Sequence, residues 1–343
     1  MRLFVTGGAG FIGSAFVRYV LAHDSSVHVV TLDKLTYAGN LENLAPVCES
    51  PRHRFVHGDI CDSETVSSIL AGGIDAIVHF AAESHVDRSI LSPDPFIETN
   101  VRGTATLLDA ARKARLSRFL LVSTDEVYGD IDPPHEADES FPLRPSSPYA
   151  ASKAAADLLA LSYVRTFKLP VVVTRASNNY GPYQFPEKLI PLMISNAMEG
   201  LPLPVYGDGL QVRDWLYVDD HCRGILAVLQ HGAEGQVYNI GGNRALTNRE
   251  VITRILDIVG APHALMTTVV DRPGHDRRYA LASDKIARET GFAPQMTFES
   301  GLAQTVAWYR DNADWTRRVK SGEYREYYKS NYGSRHEAVT ARA

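Results

Sequence analysis

Residues 2–13 read Arg2-Leu3-Phe4-Val5-Thr6-Gly7-Gly8-Ala9-Gly10-Phe11-Ile12-Gly13, a short apolar run that gives way to glycines and then, from Ser14 to Ala22, to helix-forming sequence. The glycines satisfy GxGxxG at Gly8, Gly10 and Gly13, and GxxGxxG at Gly7, Gly10 and Gly13. A strand, a glycine turn and a helix in that order allow backbone N–H groups and a helix N-terminus to approach a pyrophosphate closely. A lone glycine pattern is weak, but residues 27–32 form a second apolar strand that ends in Asp33, at about the ~20-residue spacing expected of a ribose-binding acid. Asp33 would accept the adenosine ribose hydroxyls and repel a 2′-phosphate, which favours NAD over NADP; Lys34 beside it works the other way.

Further strands follow at regular intervals. Residues 55–60 form a third, ending in Asp59 and Ile60, and residues 75–82 a fourth, with the small Ala81 and Ala82 at its end. Residues 83–89 read as a polar loop at the same sheet edge. There His85 is either satisfied within the loop or in contact with substrate. Residues 100–114 read as a helix leading to a central strand at 118–124, and residues 171–175 form another buried strand. Strand and helix alternate, the pattern of an α/β fold with a doubly wound parallel sheet of the Rossmann kind. From Tyr183 the alternation loosens into a smaller C-terminal lobe, and residues 237–241 return to the main sheet.

The central strand ends in Ser123-Thr124-Asp125-Glu126-Val127-Tyr128-Gly129, a polar cluster that belongs at the strand's mouth, where open α/β sheets bind ligands. A proline-rich, acidic loop then delivers Tyr149-Ala150-Ala151-Ser152-Lys153 at the start of a helix running to Phe167, and Tyr149 and Lys153, four residues apart, share one helix face. A tyrosine has a pKa near ~10, and the Lys153 ammonium with a positive nicotinamide ring would favour its phenolate, a usable base. Thr124 can hydrogen-bond the same substrate oxygen. Outside this setting the pair would be an ordinary helix surface contact.

The 343 residues carry a formal charge of −5, which offers no field for nucleic acid or an anionic membrane. The three cysteines, Cys48, Cys61 and Cys222, have no CxxC spacing and form no disulfide framework, as expected in a reducing cytoplasm. The first strand begins at once, leaving no room for a signal peptide, and no apolar run reaches the length of a membrane span. His53 and His57 on one strand would stand about 13 Å apart at ~3.3 Å per residue, too far to share an ion. They are read as structural, and no metal is expected. The polar C-terminal stretch holds an aromatic cluster at 324–332.

Thr-Gly-Gly-Ala-Gly-Phe-Ile-Gly at 6–13, Ser-Thr-Asp-Glu-Val-Tyr-Gly at 123–129 and Tyr-Ala-Ala-Ser-Lys at 149–153 together resemble the extended short-chain dehydrogenases, specifically the dTDP-glucose 4,6-dehydratases. Asn178-Asn179-Tyr180-Gly181-Pro182-Tyr183-Gln184, Pro186-Glu187-Lys188-Leu189-Ile190-Pro191, Arg213-Asp214-Trp215 and Asp271-Arg272-Pro273-Gly274-His275-Asp276 extend the likeness to about residue 333. The resemblance implies that Tyr149 takes the C4 proton as hydride leaves for NAD, that Glu126 is the base at C5, and that Asp125 is the acid protonating the departing C6 hydroxyl. Hydride then returns to C6 and a proton to C5. A chemical rationale stands beside it. A C4 ketone makes the C5 proton acidic, and adjacent carboxyls in a buried site can hold opposite protonation states. The alternative that the triplet merely caps a turn remains open.

By the same resemblance Gly7, Gly10, Phe11, Ile12, Gly13, Asp33, Lys34, Leu35, Thr36, Asp59, Ile60, Ala81, Thr99, Tyr149, Lys153 and Asn179 hold NAD. Ser84 or His85, Thr124, Asn178, Lys188, Leu189, Pro204, Val205, Tyr206, Arg213, Asn248, Asp271, Arg272, Pro273, Gly274 and His275 hold the nucleotide sugar, dTDP-glucose. Arg213 and Arg272 suit a diphosphate through their guanidinium forks, although either alone could be a surface ion-pair residue. Residues 1–182 are then mainly the NAD-binding domain and 183–343 mainly the nucleotide-sugar lobe. A homodimer through helices near 100–115 and 150–167 is implied. A UDP-sugar 4,6-dehydratase, a nucleotide-sugar 4-epimerase and a non-catalytic NAD-dependent sensor or scaffold are the competing readings; Asp125 and Glu126 argue against the epimerase.

Overall fold

The computed structural model describes residues 1–320, so the aromatic segment at 324–332 lies outside the described residues. The main sheet is built from β1 (Arg2–Thr6), β2 (His28–Asp33), β3 (His53–His57), β4 (Ala76–His79), β5 (Arg118–Thr124), β6 (Val171–Ala176) and β10 (Val237–Ile240). Its order is β10-β6-β5-β4-β1-β2-β3, and every neighbouring pair is parallel. The chain winds outward from β1 to β3 and then crosses back to place β4 on the other side of β1. Strand order therefore reverses between β1 and β4, the place where a crevice opens at the carboxyl ends of such sheets.

The strands are apolar on both faces because both are covered. Leu3, Val5, Leu120 and Val122 pack with Phe16 and Val20 of the helix Phe11–His23 and with Ile225 and Val228 of the helix Val218–His231. Phe4, Phe119 and Leu121 face the opposite way, onto Leu107, Leu108 and Ala111 of the helix Thr104–Ala114 and Ala156 and Ala160 of the helix Pro148–Phe167. The latter helix starts where it does because Pro148 needs no N–H partner in the first turn and the Ser147 hydroxyl accepts from Ala150 N.

The smaller lobe contains β7 (Asn178–Tyr180), β8 (Leu203–Tyr206), β9 (Val212–Tyr217), β11 (Ala245–Thr247) and β12 (Met266–Val269), arranged as a three-stranded sheet, β11-β9-β7, and a parallel pair, β12-β8. Its core gathers Tyr180, Trp215, Tyr217, Ile255, Leu302 and Tyr309. β10 leaves this lobe to pair with β6, Val237 opposite Val173 and Ile240 opposite Ala176, so the main sheet holds a strand from beyond residue 183.

Two local expectations change. The polar stretch 83–89 is a loop only to His85; a helix, Val86–Leu91, starts there, with the His85 ring accepting from Arg88 N as its cap. The helix expected from Asn100 begins at Asp94 and passes through a wide-turn segment, Ile97–Gly103, before Thr104–Ala114. At Gly103 an added Cβ would lie 2.4 Å from Ile60 Cδ1, so the segment sits hard against the start of the β3-to-helix turn. No helix among the described residues is long and apolar enough to cross a membrane.

Candidate active site

A cleft of about 290 Å³ lies along the carboxyl ends of β1, β2, β4, β5 and β6. It is lined by Gly7, Gly10, Phe11, Ile12, Gly13, Asp33, Lys34, Thr36, Asp59, Ile60, Ala81, Thr99 and Asn179, and also by Tyr149 and Lys153. Leu35, grouped with them in the sequence reading, does not line it; its backbone turns left-handed at φ 53° and its N–H donates to Asp33 Oδ1 at 2.8 Å.

The glycines answer to backbone proximity. Gly7 has φ +70°, and a Cβ there would lie 2.5 Å from Ala81 N; at Gly13 it would lie 2.2 Å from Gly7 O. The helix Phe11–His23 starts at Gly10 without a side-chain cap, so the first-turn N–H groups keep their capacity for an anion. Asp33 accepts from Ala9 N at 2.9 Å, tying the glycine loop to β2, and a carboxylate has lone pairs left for ribose hydroxyls. Lys34 is drawn 2.6 Å from Asp59, which occupies its charge. The donor set and cradle fit NAD.

At the mouth of β5, Thr124 accepts from Glu126 N at 3.3 Å and turns the chain so that Asp125 and Glu126 both line the cleft. Their surroundings differ. Burial, then the neighbouring Glu126 charge, pushes the Asp125 carboxyl well above the usual carboxylate range, and its Oδ2 has no partner among the described residues. Burial also raises Glu126, but Lys188, Arg272 and Arg213 pull it back. The pair is thus biased toward a protonated Asp125 and an ionised Glu126.

The hydroxyls of Thr124 and Tyr149 are hydrogen-bonded, and Lys153 Nζ donates to Val122 O at 2.8 Å. From the spacing alone, Lys153 is expected to lower the Tyr149 pKa. The chain's own charges do the reverse: burial, then Glu126, raises the phenol far above its ordinary value, with Asp125 and Asp157 adding to the rise. The Lys153 ammonium is itself lowered to about 8 by burial, against the opposing pull of Asp157. That carboxylate is buried with Arg175, Nε to Oδ2 2.8 Å.

Of the expected substrate residues, Ser84, Thr124, Asn178 and Lys188 line the cleft, Lys188 Nζ donating to Ser84 O at 2.6 Å. His85 does not; it is 4% exposed, serves as a helix cap, and is kept neutral by burial. Leu189, Pro204, Val205, Tyr206, Arg213, Asn248 and residues 271–275 lie beyond the lining, in the lobe next to it. Arg213 is held by Val212 O at 2.7 Å and Asp276 O at 2.8 Å, and Arg272 by Asp87 Oδ1 at 3.0 Å, so neither is a free surface charge. Gln184, Glu187 and His221 line the cleft without having been singled out. Glu187 sits inside the Pro-Glu-Lys segment and Gln184 closes the run that starts at Asn178, which are usable signals. His221, whose Nδ1 lies 2.9 Å from Asn179 Oδ1, offers none.

A dinucleotide crevice opening onto a Thr-Asp-Glu turn and a Tyr-Lys helix defines an extended short-chain dehydrogenase with two adjacent carboxyls added at its cleft. The family model for GDP-mannose 4,6 dehydratase matches residues 4–305. The chain is 52% identical to a dTDP-glucose 4,6-dehydratase of Shigella flexneri, over 98% of this chain and 100% of that one. A dTDP-glucose 4,6-dehydratase from Streptomyces venezuelae, solved with NAD and dTDP bound, is 56% identical and superposes with a TM-score of 0.91, over 93% of this chain and 100% of its own. One from Bacillus anthracis in complex with NAD is 48% identical with a TM-score of 0.88, again over 93% and 100%. The chain belongs to the dTDP-glucose 4,6-dehydratase family.

Proposed function

We propose that this cleft converts dTDP-glucose to dTDP-4-keto-6-deoxyglucose by loss of water, as an NAD-dependent hydro-lyase. The observation that carries the reading is the adjacent carboxyl pair with opposed electrostatic surroundings, Asp125 and Glu126, in the same cleft as Tyr149. NAD, held by the glycine turn at Gly7, Gly10 and Gly13 and by Asp33, would supply a hydride acceptor for C4, a hydride donor for C6 and a positive ring charge. Tyr149, with Thr124 and Lys153 holding its surroundings, receives the C4 hydroxyl proton. Glu126 then removes the proton at C5, Asp125 gives its proton to the leaving C6 hydroxyl, and Glu126 returns a proton to C5. A 4-epimerase has no use for a protonated carboxyl beside an ionised one. A non-catalytic sensor has no use for either.

The lobe beyond residue 183 supplies the nucleotide-sugar contacts in this reading, with Arg213, Arg272 and Lys188 facing the diphosphate end and residues 1–182 with β10 carrying NAD. A homodimer through the helices Thr104–Ala114 and Pro148–Phe167 is supported by Leu158 and Phe167, 61% and 48% exposed, on the second of these. A cytoplasmic setting is supported by the free cysteines Cys48, Cys61 and Cys222. The test is incubation with dTDP-glucose in deuterium oxide. A product that has lost one water and carries deuterium at C5 is expected; an isobaric product would assign the chain to epimerisation.

A further inference from the structure

The nucleotide-sugar contacts proposed above hang on a carboxylate that belongs to the other lobe. Asp87 lies in the first turn of the short helix Val86–Leu91, which follows β4 and packs on the helix Pro148–Phe167. Its side chain is 2% exposed, too buried to meet a ligand. Its two oxygens reach in different directions. Oδ2 accepts from the Tyr206 hydroxyl at 2.6 Å, and Oδ1 from Arg272 Nη1 at 3.0 Å. Tyr206 closes β8, and Arg272 follows its partner β12 by three residues, Tyr206 and Val269 being paired across the two strands. One carboxylate thus ties the helix after β4 to the end of the lobe's parallel pair.

The grip extends further. The Tyr206 ring meets the His275 ring edge-on at 5.9 Å between centroids, and His275 Nδ1 lies 2.6 Å from Asp271 Oδ1. Charge-assisted bonds of this kind fix geometry as well as adding energy. The Arg272 charge in turn holds Asp87 far below the usual carboxylate range.

We propose that Asp87 is a positioning residue for nucleotide-sugar binding, fixing the Tyr206 hydroxyl and the Arg272 guanidinium in register with the NAD-binding sheet. This rests on the reading of Tyr206 and Arg272 as nucleotide-sugar contacts. Asp87 acts on binding in the ground and transition states alike, so its loss raises KM with little change in kcat.

The experiment compares wild type, Asp87→Asn, Tyr206→Phe and Arg272→Met, each loaded with NAD. It measures dTDP affinity by calorimetry and kcat and KM with dTDP-glucose. Asp87→Asn is expected to weaken dTDP binding and raise KM by about tenfold or more, the worth of a charged hydrogen bond, with NAD affinity and kcat near wild type. Tyr206→Phe, which leaves the ion pair intact, loses less, and the double variant Asp87→Asn/Tyr206→Phe is no worse than Asp87→Asn alone. Unchanged or tighter dTDP binding in Asp87→Asn overturns the proposal, because the carboxylate would then only compete with the diphosphate for Arg272. Should Asp87→Asn not fold, wild-type dTDP affinity in Tyr206→Phe overturns it equally. Wild-type affinity in Arg272→Met would instead remove the underlying assignment of Arg272.

Discussion

Replacing Glu126 by Gln separates the two halves of the proposed chemistry. The side chain is half-buried, and its backbone N–H, rather than its carboxylate, makes the bond to Thr124 Oγ1 that shapes the turn, so the amide leaves the local fold in place. Two electrostatic consequences follow. The base at C5 disappears, and so does the charge that, after burial, most raises the Tyr149 phenol. Oxidation at C4 therefore persists or quickens while elimination stalls. A positioned base is worth about 10²–10⁴ in rate, which is ~3–5 kcal/mol on the barrier. Single-turnover quenching with mass detection, run beside cofactor absorbance and deuterium wash-in at C5, reads each half separately. The expected result is a reduced cofactor and an oxidised sugar that keeps its water and its C5 proton. Asp125→Asn should show the complementary pattern, C5 exchange without rapid water loss. Elimination at the wild-type rate in Glu126→Gln, or a block to oxidation as complete as that of Tyr149→Phe, would refute the assignment of roles.

Asp157→Ala strands the Arg175 guanidinium, whose side chain is only 4% exposed, and should cost about 3–5 kcal/mol of stability, read as a lowered thermal midpoint. Lys153, with its ammonium near a pKa of about 8, carries its charge below that pH and loses it above, so kcat/KM should fall as pH rises through about 8. Because Asp157 pulls that pKa upward, Asp157→Asn should move the same limb to lower pH; a limb that stays in place would show that another group titrates there. Gly13→Ala drives a Cβ to 2.2 Å from Gly7 O and should sharply weaken NAD binding, measured by calorimetry.

The parts of this account that were legible in the sequence are those written in short range. The glycine turn, the alternation of strands and helices, and the return of residues 237–241 to the sheet, seen as Val237–Ile240, all rest on local pattern, as does the crowding of Thr124, Asp125, Glu126, Tyr149 and Lys153 at the strand mouths. What was hidden depends on three-dimensional surroundings. Residues 83–89 look like a loop because they are polar, yet Asp87 spends its polarity on Tyr206 and Arg272, partners 119 and 185 residues away. The spacing of Tyr149 and Lys153 shows a cation near a phenol; it does not show that both are buried, that Lys153 is turned to Val122 O, or that Glu126 stands close enough to oppose ionisation. From sequence Arg213 and Arg272 suit a diphosphate or a surface ion pair equally; their buried partners, Asp276 O and Asp87, show only in the fold.

The central claim is tested most directly by mass spectrometry of the NAD-loaded protein incubated separately with dTDP-glucose and UDP-glucose. The account predicts a product lighter by one water from the dTDP sugar, and little or none from the UDP sugar. Unchanged mass with both, together with a galactose epimer on chromatography, would contradict it.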